Sequence, residues 1–340
     1  MRSKQENNKK LFLLNKLKSL DVQNYVLIVL MILLIVSISF VNPKFLRLRS
    51  FEAMINNYTL EGIMALGMTL VIISGGIDLS IAGIMPFSAI IYAYLIKAEI
   101  NIYISMLIVL IIALFLGFIN NFLRSLLKVH PFVVTLAMQL TLKGLNLVIT
   151  DSQVITDFPE NFTKLSNVKI LGLSIPILVL IVLVIFYGVM LSQNRYFRYV
   201  YFVGSNPRAA ELSGINTRRY FRFIYMQSGL LAGIAGIIAC FIFNSAHASY
   251  GTGIETRVIT IVAAGGASMI RGGIGNIRGT VLGLIFISMV YSSFIMSGIS
   301  TYYQDVVTGL LLILAVVFSE KFREINIKTN IFKKREEENV

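Results

Sequence analysis

The chain has few of the residues that soluble enzymes use for chemistry. Among its 340 residues there is one cysteine, Cys240, which excludes an intrachain disulfide and a metal site built on cysteines. The two histidines, His130 and His247, are too few for a histidine metal cluster. Charged residues make up 14% of the chain, which is less than a soluble domain carries.

Motifs for nucleotide binding and catalysis are also missing. The sequence has no GxxxxGK[ST] phosphate-binding loop, so it cannot bind ATP in that way. It places no nucleophile with a base, and no pair of carboxylates, within one apolar segment. We therefore predict a protein that is not an enzyme, with no catalytic residue, no metal ion and no cofactor of its own.

Long apolar runs are what the chain has in abundance. Hydrophobic residues make up 56% of it. Runs of about 18 to 20 residues, each long enough to cross a bilayer as a helix, recur from end to end. The sequence predicts an all-α, multi-pass membrane protein. We predict ten spans, at 25–41, 54–73, 79–96, 102–123, 131–149, 174–192, 222–243, 257–270, 280–298 and 302–319.

The positions of Lys and Arg predict the orientation of these spans. Twenty-two of the 30 fall on the side that holds the N-terminus and seven on the other side, so both termini are predicted to be cytoplasmic. The chain then divides into an N-terminal segment (1–24), a membrane domain (25–320) with a cytoplasmic loop at 193–222, and a tail (321–340). Six basic residues precede the first span and no cleavage site follows it, so a cleaved signal peptide is not expected. Because the +13 net charge clusters beside the spans, nucleic acid is not expected as a partner.

An aspartate interrupts one apolar run, VIISGGIDLSIAGIMPFSAIIYAYL. Gly75 and Gly76 allow the backbone to break, and Asp78 with Ser80 can cap a new helix near Leu79. Intramembrane carboxylates are also candidates for function, so Asp78 is alternatively a pathway or gate residue. We expect Asp78 to be the one carboxylate deep within the apolar segments.

A second glycine pair, Gly265 and Gly266, follows another apolar run in ITIVAAGGASMIRGGIGNIRGTVLG. The two pairs are 190 residues apart. Gly-interrupted segments at matching places predict two pseudo-repeated halves around a transport pathway. Both glycine pairs are therefore predicted hinges of that pathway.

The stretch YFVGSNPRAAELSGINTRRYFRF predicts a short helix between two spans. Asn206 can cap its start, Pro207 fits its first turn, and Gly214 is the expected terminator. Ala209 and Ala210 are small residues against which a partner could pack. The residues alone leave open whether this is an ordinary connector or a docking site.

Six motifs, in order over about residues 55 to 320, resemble one family of transport proteins. They are GMTLVIISGGIDLS, PFVVTLAMQLTLKGL, VGSNPRAAELSGIN, GTGIETRVITIVAAGGAS, GGIGNIRGTVLG and YYQDVVTGLLLILAV. Together they resemble the ribose/xylose/arabinose/galactoside branch of ABC-importer permeases. The resemblance implies a multi-pass subunit of the bacterial cytoplasmic membrane, surrounded by lipid. Two copies, identical or paralogous, would pair with two ATPase subunits that bind ATP and Mg, and an extracytoplasmic solute-binding protein would deliver the cargo.

The resemblance also implies a role for the short helix. It would be the coupling helix that enters a cleft of the ATPase, and alternating access of the pathway would follow from its displacement. The implied coupling residues are Asn206, Pro207, Arg208, Ala209, Ala210, Glu211, Ser213 and Gly214.

The cargo stays open at this point. Gln139, Arg257 and Ile274 depart from the family pattern, so a nucleoside, a polyol or a furanosyl signalling molecule could replace a monosaccharide. Polar residues in spans could bind such a cargo or simply bind neighbouring helices. The candidates are Asn56, Asn57, Thr135, Gln139, Asn146 and Asn244. Two rivals to the permease are an ion-coupled secondary carrier that uses Asp78 and an intramembrane enzyme.

Overall fold

The computed structural model describes residues 22–300 and 302–317, and this part of the chain is almost wholly helical. The predicted N-terminal segment 1–24 and tail 321–340 lie outside the described residues, apart from the start of the first helix. The helices are α1 (Val22–Val41), α2 (Leu48–Asn57), α3 (Thr59–Ile73), α4 (Ile81–Lys97), α5 (Ile102–Leu127), α6 (Pro131–Thr150), α7 (Glu160–Ser166), α8 (Ile175–Gln193), α9 (Arg195–Ser205), α10 (Pro207–Leu212), α11 (Thr217–Phe243), α12 (Ile254–Ala264), α13 (Ile277–Met296) and α14 (Tyr302–Val317).

Six of the described helices are long and apolar enough to cross a membrane: α1, α5, α6, α8, α11 and α13. The helices α3, α4 and α14 are also apolar but shorter. The prediction of an all-helical membrane protein is confirmed, whereas the number of crossings and their orientation stay predictions.

The predicted span 54–73 is wrong at its start, because the chain breaks at Tyr58. The φ and ψ of Tyr58 are −109° and 14°, which separates α2 from α3. The residues before the break include Glu52, Asn56 and Asn57, which are too polar for a continuous apolar span. The apolar helix therefore begins at Thr59.

Helix α3 lies at the centre of the molecule. All 15 of its residues are buried, and it contacts α8, α11, α12 and α13. On another side, α11 packs closely on α4 and α5 through glycines. A Cβ added at Gly229 would overlap the carbonyl oxygen of Ala113 in α5, and one at Gly236 would overlap the carbonyl oxygen of Met85 in α4. The predicted close helix contact through the small residues of 229–236 is thereby confirmed.

The connection between α6 and α8 carries the β-structure of the described residues. It contains α7 and a hairpin of β1 (Lys169–Ile170) and β2 (Leu173–Ser174). Ile155 pairs with Ala246 in an isolated antiparallel bridge, and Phe162 packs edge-on against Phe241. These contacts fasten this connection to the end of α11.

Candidate functional site

The first glycine pair ends α3 in a tight, hydrogen-bonded turn. The Gly75 N–H donates to the Ile72 carbonyl (2.9 Å) and the Gly76 N–H donates to the Val71 carbonyl (3.0 Å). Gly75 has φ +83°, the left-handed conformation that glycine adopts most readily. The predicted break in the helix is confirmed.

Asp78 follows this turn and is completely buried. Its Oδ1 accepts hydrogen bonds from the Ser80 N–H (3.1 Å) and the Ser80 hydroxyl, and Asn120 Nδ2 donates to that hydroxyl (2.7 Å). Its Oδ2 is buried without a hydrogen-bond partner among the described residues. Helix α4 begins at Ile81, two residues after the predicted start near Leu79, and Asp78 accepts the N–H of Ser80, the residue just before the helix.

The second glycine pair ends α12 with the same bonding pattern. The Gly266 N–H donates to the Ala263 carbonyl (3.0 Å) and the Ala267 N–H donates to the Val262 carbonyl (3.2 Å). Gly266, with φ +94°, is therefore the counterpart of Gly75, and the interval is 191 residues instead of the predicted 190. The predicted span 257–270 is wrong at its end, because this turn stops the helix at Ala264. The shared pattern supports an internal repeat at this point of the chain.

The end of α3, helix α9 and the loop after α12 meet at a cluster that we call the glycine junction, formed by the Ile73 carbonyl, Gly204, Gly272 and Gly273. The Gly273 N–H donates to the Ile73 carbonyl (2.6 Å). A Cβ added at Gly204 would lie 2.6 Å from the Gly273 nitrogen and would overlap the Ile73 carbonyl. Helix α9 is thus in backbone contact with the end of α3 and with the loop after α12.

The phenol of Tyr201 lies one turn before Gly204, in α9. Burial raises its pKa, although the nearby Arg198 guanidinium lowers it in part, so the phenol stays protonated at neutral pH. Among the described residues, no group of three or more His, Cys, Asp or Glu side chains could hold a metal ion.

Helix α10 forms where the sequence predicts it. The Asn206 side chain accepts the Ala209 N–H (3.0 Å), Pro207 occupies the first turn, and Gly214 has φ +85°. Ala209 is exposed, whereas Ala210 is buried against its own chain. Of the two small residues, only Ala209 can meet a partner.

Helix α10 also carries an exposed apolar side chain that its sequence pattern did not indicate. Leu212 is 86% exposed. A single leucine in an apolar chain gives no signal until its surroundings are known. Here its neighbours Glu211, Ser213 and Gly214 are exposed as well, so an apolar side chain projects from a polar segment.

A basic cleft of about 340 Å³ lies beside α10. Its walls include Arg124 and Lys128 at the end of α5 and Arg218 at the start of α11. Glu211 also lines it, but its carboxylate accepts a hydrogen bond from the Thr217 hydroxyl. The cleft therefore contains three positively charged side chains and one carboxylate, and that carboxylate is hydrogen-bonded to Thr217. Because positive charge is in excess, the cleft suits an acidic group of a partner.

Two of the six predicted cargo residues hold α6 against α4 and the turn before it. Thr135 Oγ1 donates to the Ile77 carbonyl (3.4 Å), and Asn146 Nδ2 donates to the Gly83 carbonyl (3.3 Å). Both side chains are buried. Gln139, on the same face as Thr135, is only half-buried.

The other predicted cargo residues lie elsewhere. Asn56 accepts a hydrogen bond from the Ser174 hydroxyl (2.9 Å), and Asn57 is exposed at the end of α2. Asn244 is exposed, has φ 48° and ends α11. The structure therefore does not bring the six candidates together into one site.

A second buried carboxylate corrects the expectation that Asp78 is alone. Glu61, near the start of α3, is 6% exposed. Its Oε1 lies 3.2 Å from Nε of Arg257, a residue of α12 that is 196 positions away. Glu61 is surrounded by apolar residues in the sequence, but nothing local indicates its partner.

Comparison with known proteins identifies the family. The family described as "Branched-chain amino acid transport system / permease component" matches residues 50–316. The ribose import permease RbsC of Escherichia coli K12 is 32% identical over 298 residues, covering 86% of this chain and 92% of the relative. The RbsC of Bacillus subtilis 168 is 33% identical over 291 residues (85% and 90%). The autoinducer 2 import system permease LsrD of Escherichia coli SMS-3-5 is 30% identical over 294 residues (85% and 89%).

No solved structure matches the chain. The family match covers most of the described helices, from α2 to α14, and includes both glycine turns and α10. It confirms the resemblance drawn from the six motifs. The chain therefore belongs to the family of transport-system permease components.

Proposed function

We propose that the protein is the membrane permease subunit of an ABC importer for a sugar-like solute. The observation that carries this proposal is the capped helix α10, which projects the exposed Leu212 beside a basic cleft. An exposed leucine on a capped helix, next to a cleft lined by Arg124, Lys128 and Arg218, offers both an apolar anchor and a site for an acidic group of a partner protein. The names of the relatives support import of a sugar or of autoinducer 2.

The proposed orientation places α10 in the cytoplasm and both termini on the same side. Ten of the helices would cross the membrane: α1, α3–α6, α8 and α11–α14. The excess of Lys and Arg on one side supports this arrangement. Since α3 and α12 are shorter than a bilayer is thick, both would end within it at their glycine turns.

The proposed mechanism is alternating access driven by a partner ATPase, which would bind the ATP and Mg. Closure of the ATPase dimer would displace α10, and α9 would carry this movement to the glycine junction. Because Gly204 is in backbone contact with the end of α3, this movement would tilt α3 relative to α12. A second permease copy would complete the pathway.

The cargo that we propose is uncharged and rich in hydroxyl groups. Relatives named for ribose and for autoinducer 2 favour a pentose or a furanosyl molecule, and a nucleoside is the remaining alternative. Gln139 and Asn57 remain available to such a cargo, since neither side chain is buried. An extracytoplasmic binding protein would deliver the cargo.

The test is reconstitution of the chain in proteoliposomes with the ATPase and binding protein of its own importer. Labelled ribose and autoinducer 2 are offered as separate cargoes. We expect accumulation only with ATP and all three proteins. Accumulation by the chain alone under a proton or sodium gradient would overturn the proposal in favour of a carrier that uses Asp78.

A further inference from the structure

The pair of Glu61 and Arg257 is costly where it lies. The side chains are 7% and 25% exposed, so both charges have lost most of their contact with water. Well-packed apolar residues of similar size often hold helices together at least as well as a buried ion pair. An ion pair differs from an apolar contact in its separated state. When the pair separates, water hydrates both charges, and this hydration lowers the free energy of the separated state.

Two tyrosines extend the contact to the neighbouring helices. The ring of Tyr58, at the break before α3, stacks on the ring of Tyr291 in α13 with centroids 5.7 Å apart. The Tyr291 hydroxyl in turn shares a hydrogen bond with Thr308 of α14. We call Glu61, Arg257, Tyr58 and Tyr291 the Glu61 cluster, and it joins one end of α3, α12, α13 and α14.

This cluster lies at the opposite end of α3 from the glycine junction. Glu61 and Ile73 are twelve residues apart in one helix, a separation of about 18 Å. Because α3 is a continuous buried helix and packed interiors deform little, a displacement of its end at the glycine junction tilts the whole helix relative to its neighbours, including α12. Arg257 lies on α12, the other helix that ends in a glycine turn.

We propose that the Glu61 cluster is the extracytoplasmic gate of the transport pathway. The ion pair holds the ends of α3 and α12 together while the outer side is closed. Tilting of α3 from the glycine junction separates the pair and admits cargo, and water then hydrates both charges. This inference rests on the proposed function and adds residues that act in each cycle at the end remote from the ATPase.

The gate is tested in the reconstituted importer with the variant Glu61→Gln and the reciprocal double variant Glu61→Arg/Arg257→Glu. Coupling between distant sites commonly changes an equilibrium 5- to 150-fold. We expect Glu61→Gln to raise ATP hydrolysis without cargo about tenfold and to lower uptake per ATP. The reciprocal variant should return both quantities toward those of the unaltered importer.

The exposed pair Glu52–Lys169 is the matched control. Its charges are 2.9 Å apart, but the side chains are 32% and 59% exposed, so Glu52→Gln should change neither quantity. Unaltered hydrolysis and uptake in Glu61→Gln would overturn the gate, as would a reciprocal variant no better than Glu61→Arg alone. If Glu61→Gln fails to assemble, Arg257→Gln, which removes the other charge of the pair, is measured with the same expected direction, and no change there would also overturn the gate. An unaltered importer that fails to couple ATP to uptake contradicts the proposed function instead.

Discussion

At the scale of single residues, backbone proximity decides which glycines are replaceable. Gly204 and Gly188 both lie within helices, where alanine is ordinarily the better helix former. A Cβ at Gly204 would meet the backbone of Ile73 and Gly273, whereas nothing lies within 4 Å of a Cβ at Gly188. The same substitution therefore has opposite consequences at the two positions.

We expect Gly204→Ala to lower the free energy of unfolding by about 1 to 3 kcal/mol, the usual cost of inserting a methyl group into a packed site. Gly188→Ala is the control and should be neutral or stabilising by about 1 kcal/mol. Thermal unfolding of the two purified variants in detergent measures the difference. Equal stability of the two variants would show that the junction can accept a methyl group, which would contradict the close backbone contact at Gly204.

Asp78 allows a structural role to be separated from ion coupling. Asparagine keeps an oxygen that accepts the Ser80 N–H, whereas alanine leaves this buried donor unpaired at a cost of about 1 to 3 kcal/mol. We expect Asp78→Asn to retain ATP-driven uptake and Asp78→Ala to lose stability. The exposed Asp151→Asn variant is the control, and abolition of uptake by Asp78→Asn with normal folding would favour the ion-coupled carrier.

The sequence could not predict contacts between residues that lie far apart along the chain. Asp78 stood out because it follows two glycines in an apolar run. Glu61 did not, and its burial depends on Arg257 being brought to it by a helix almost 200 residues away. The asparagines and Thr135 looked alike as cargo residues, since sequence does not tell which of them donate to neighbouring helices.

At the scale of elements, the sequence predicts helix ends correctly where capping residues, proline or glycine determine the local backbone conformation. Helix α10 begins and ends as predicted, at Asn206 and Pro207 on one side and Gly214 on the other. A cap, a fixed φ and a left-handed residue each act within one helical turn, so the local sequence is enough to predict them. The break at Tyr58 has no such signal. At this break the Tyr58 ring stacks on that of Tyr291 in α13, a distant contact that the sequence does not show.

Leu212 should anchor α10 in the ATPase. Fully burying a leucine contributes about 1.5 to 3 kcal/mol, so we expect Leu212→Asp to weaken binding of the ATPase at least tenfold. The control is Leu171→Asp in the β1–β2 hairpin, where the leucine is 95% exposed. Binding is measured with the purified ATPase and the reconstituted permease, and equal affinities of the two variants would remove Leu212 from the interface.

At the scale of the whole molecule, the hydrophobic runs and the distribution of Lys and Arg predict a bundle with two unlike ends. The structure places the glycine junction at one end of α3 and the Glu61 cluster at the other. The distribution of Lys and Arg is the only basis for predicting which of these two ends faces the cytoplasm. Two exposed leucines can test this prediction: Leu212 on the predicted cytoplasmic side and Leu171 on the predicted outer side.

Cysteine labelling checks this orientation. The native Cys240 is wholly buried, so it should contribute little background. In intact cells, a membrane-impermeant maleimide should label Leu171→Cys but not Leu212→Cys, and permeabilisation should allow labelling of both. Labelling of Leu212→Cys in intact cells would reverse the proposed topology.

The complete burial of α3 has an evolutionary consequence. No side chain of α3 faces outward from this chain, so a solute cannot be recognised by it directly in this arrangement. Permeases that diverge toward new solutes should therefore change the half-exposed faces of other helices first. Substitutions within 59–73 should remain rare and be accompanied by compensating changes in α11, α12 or α13.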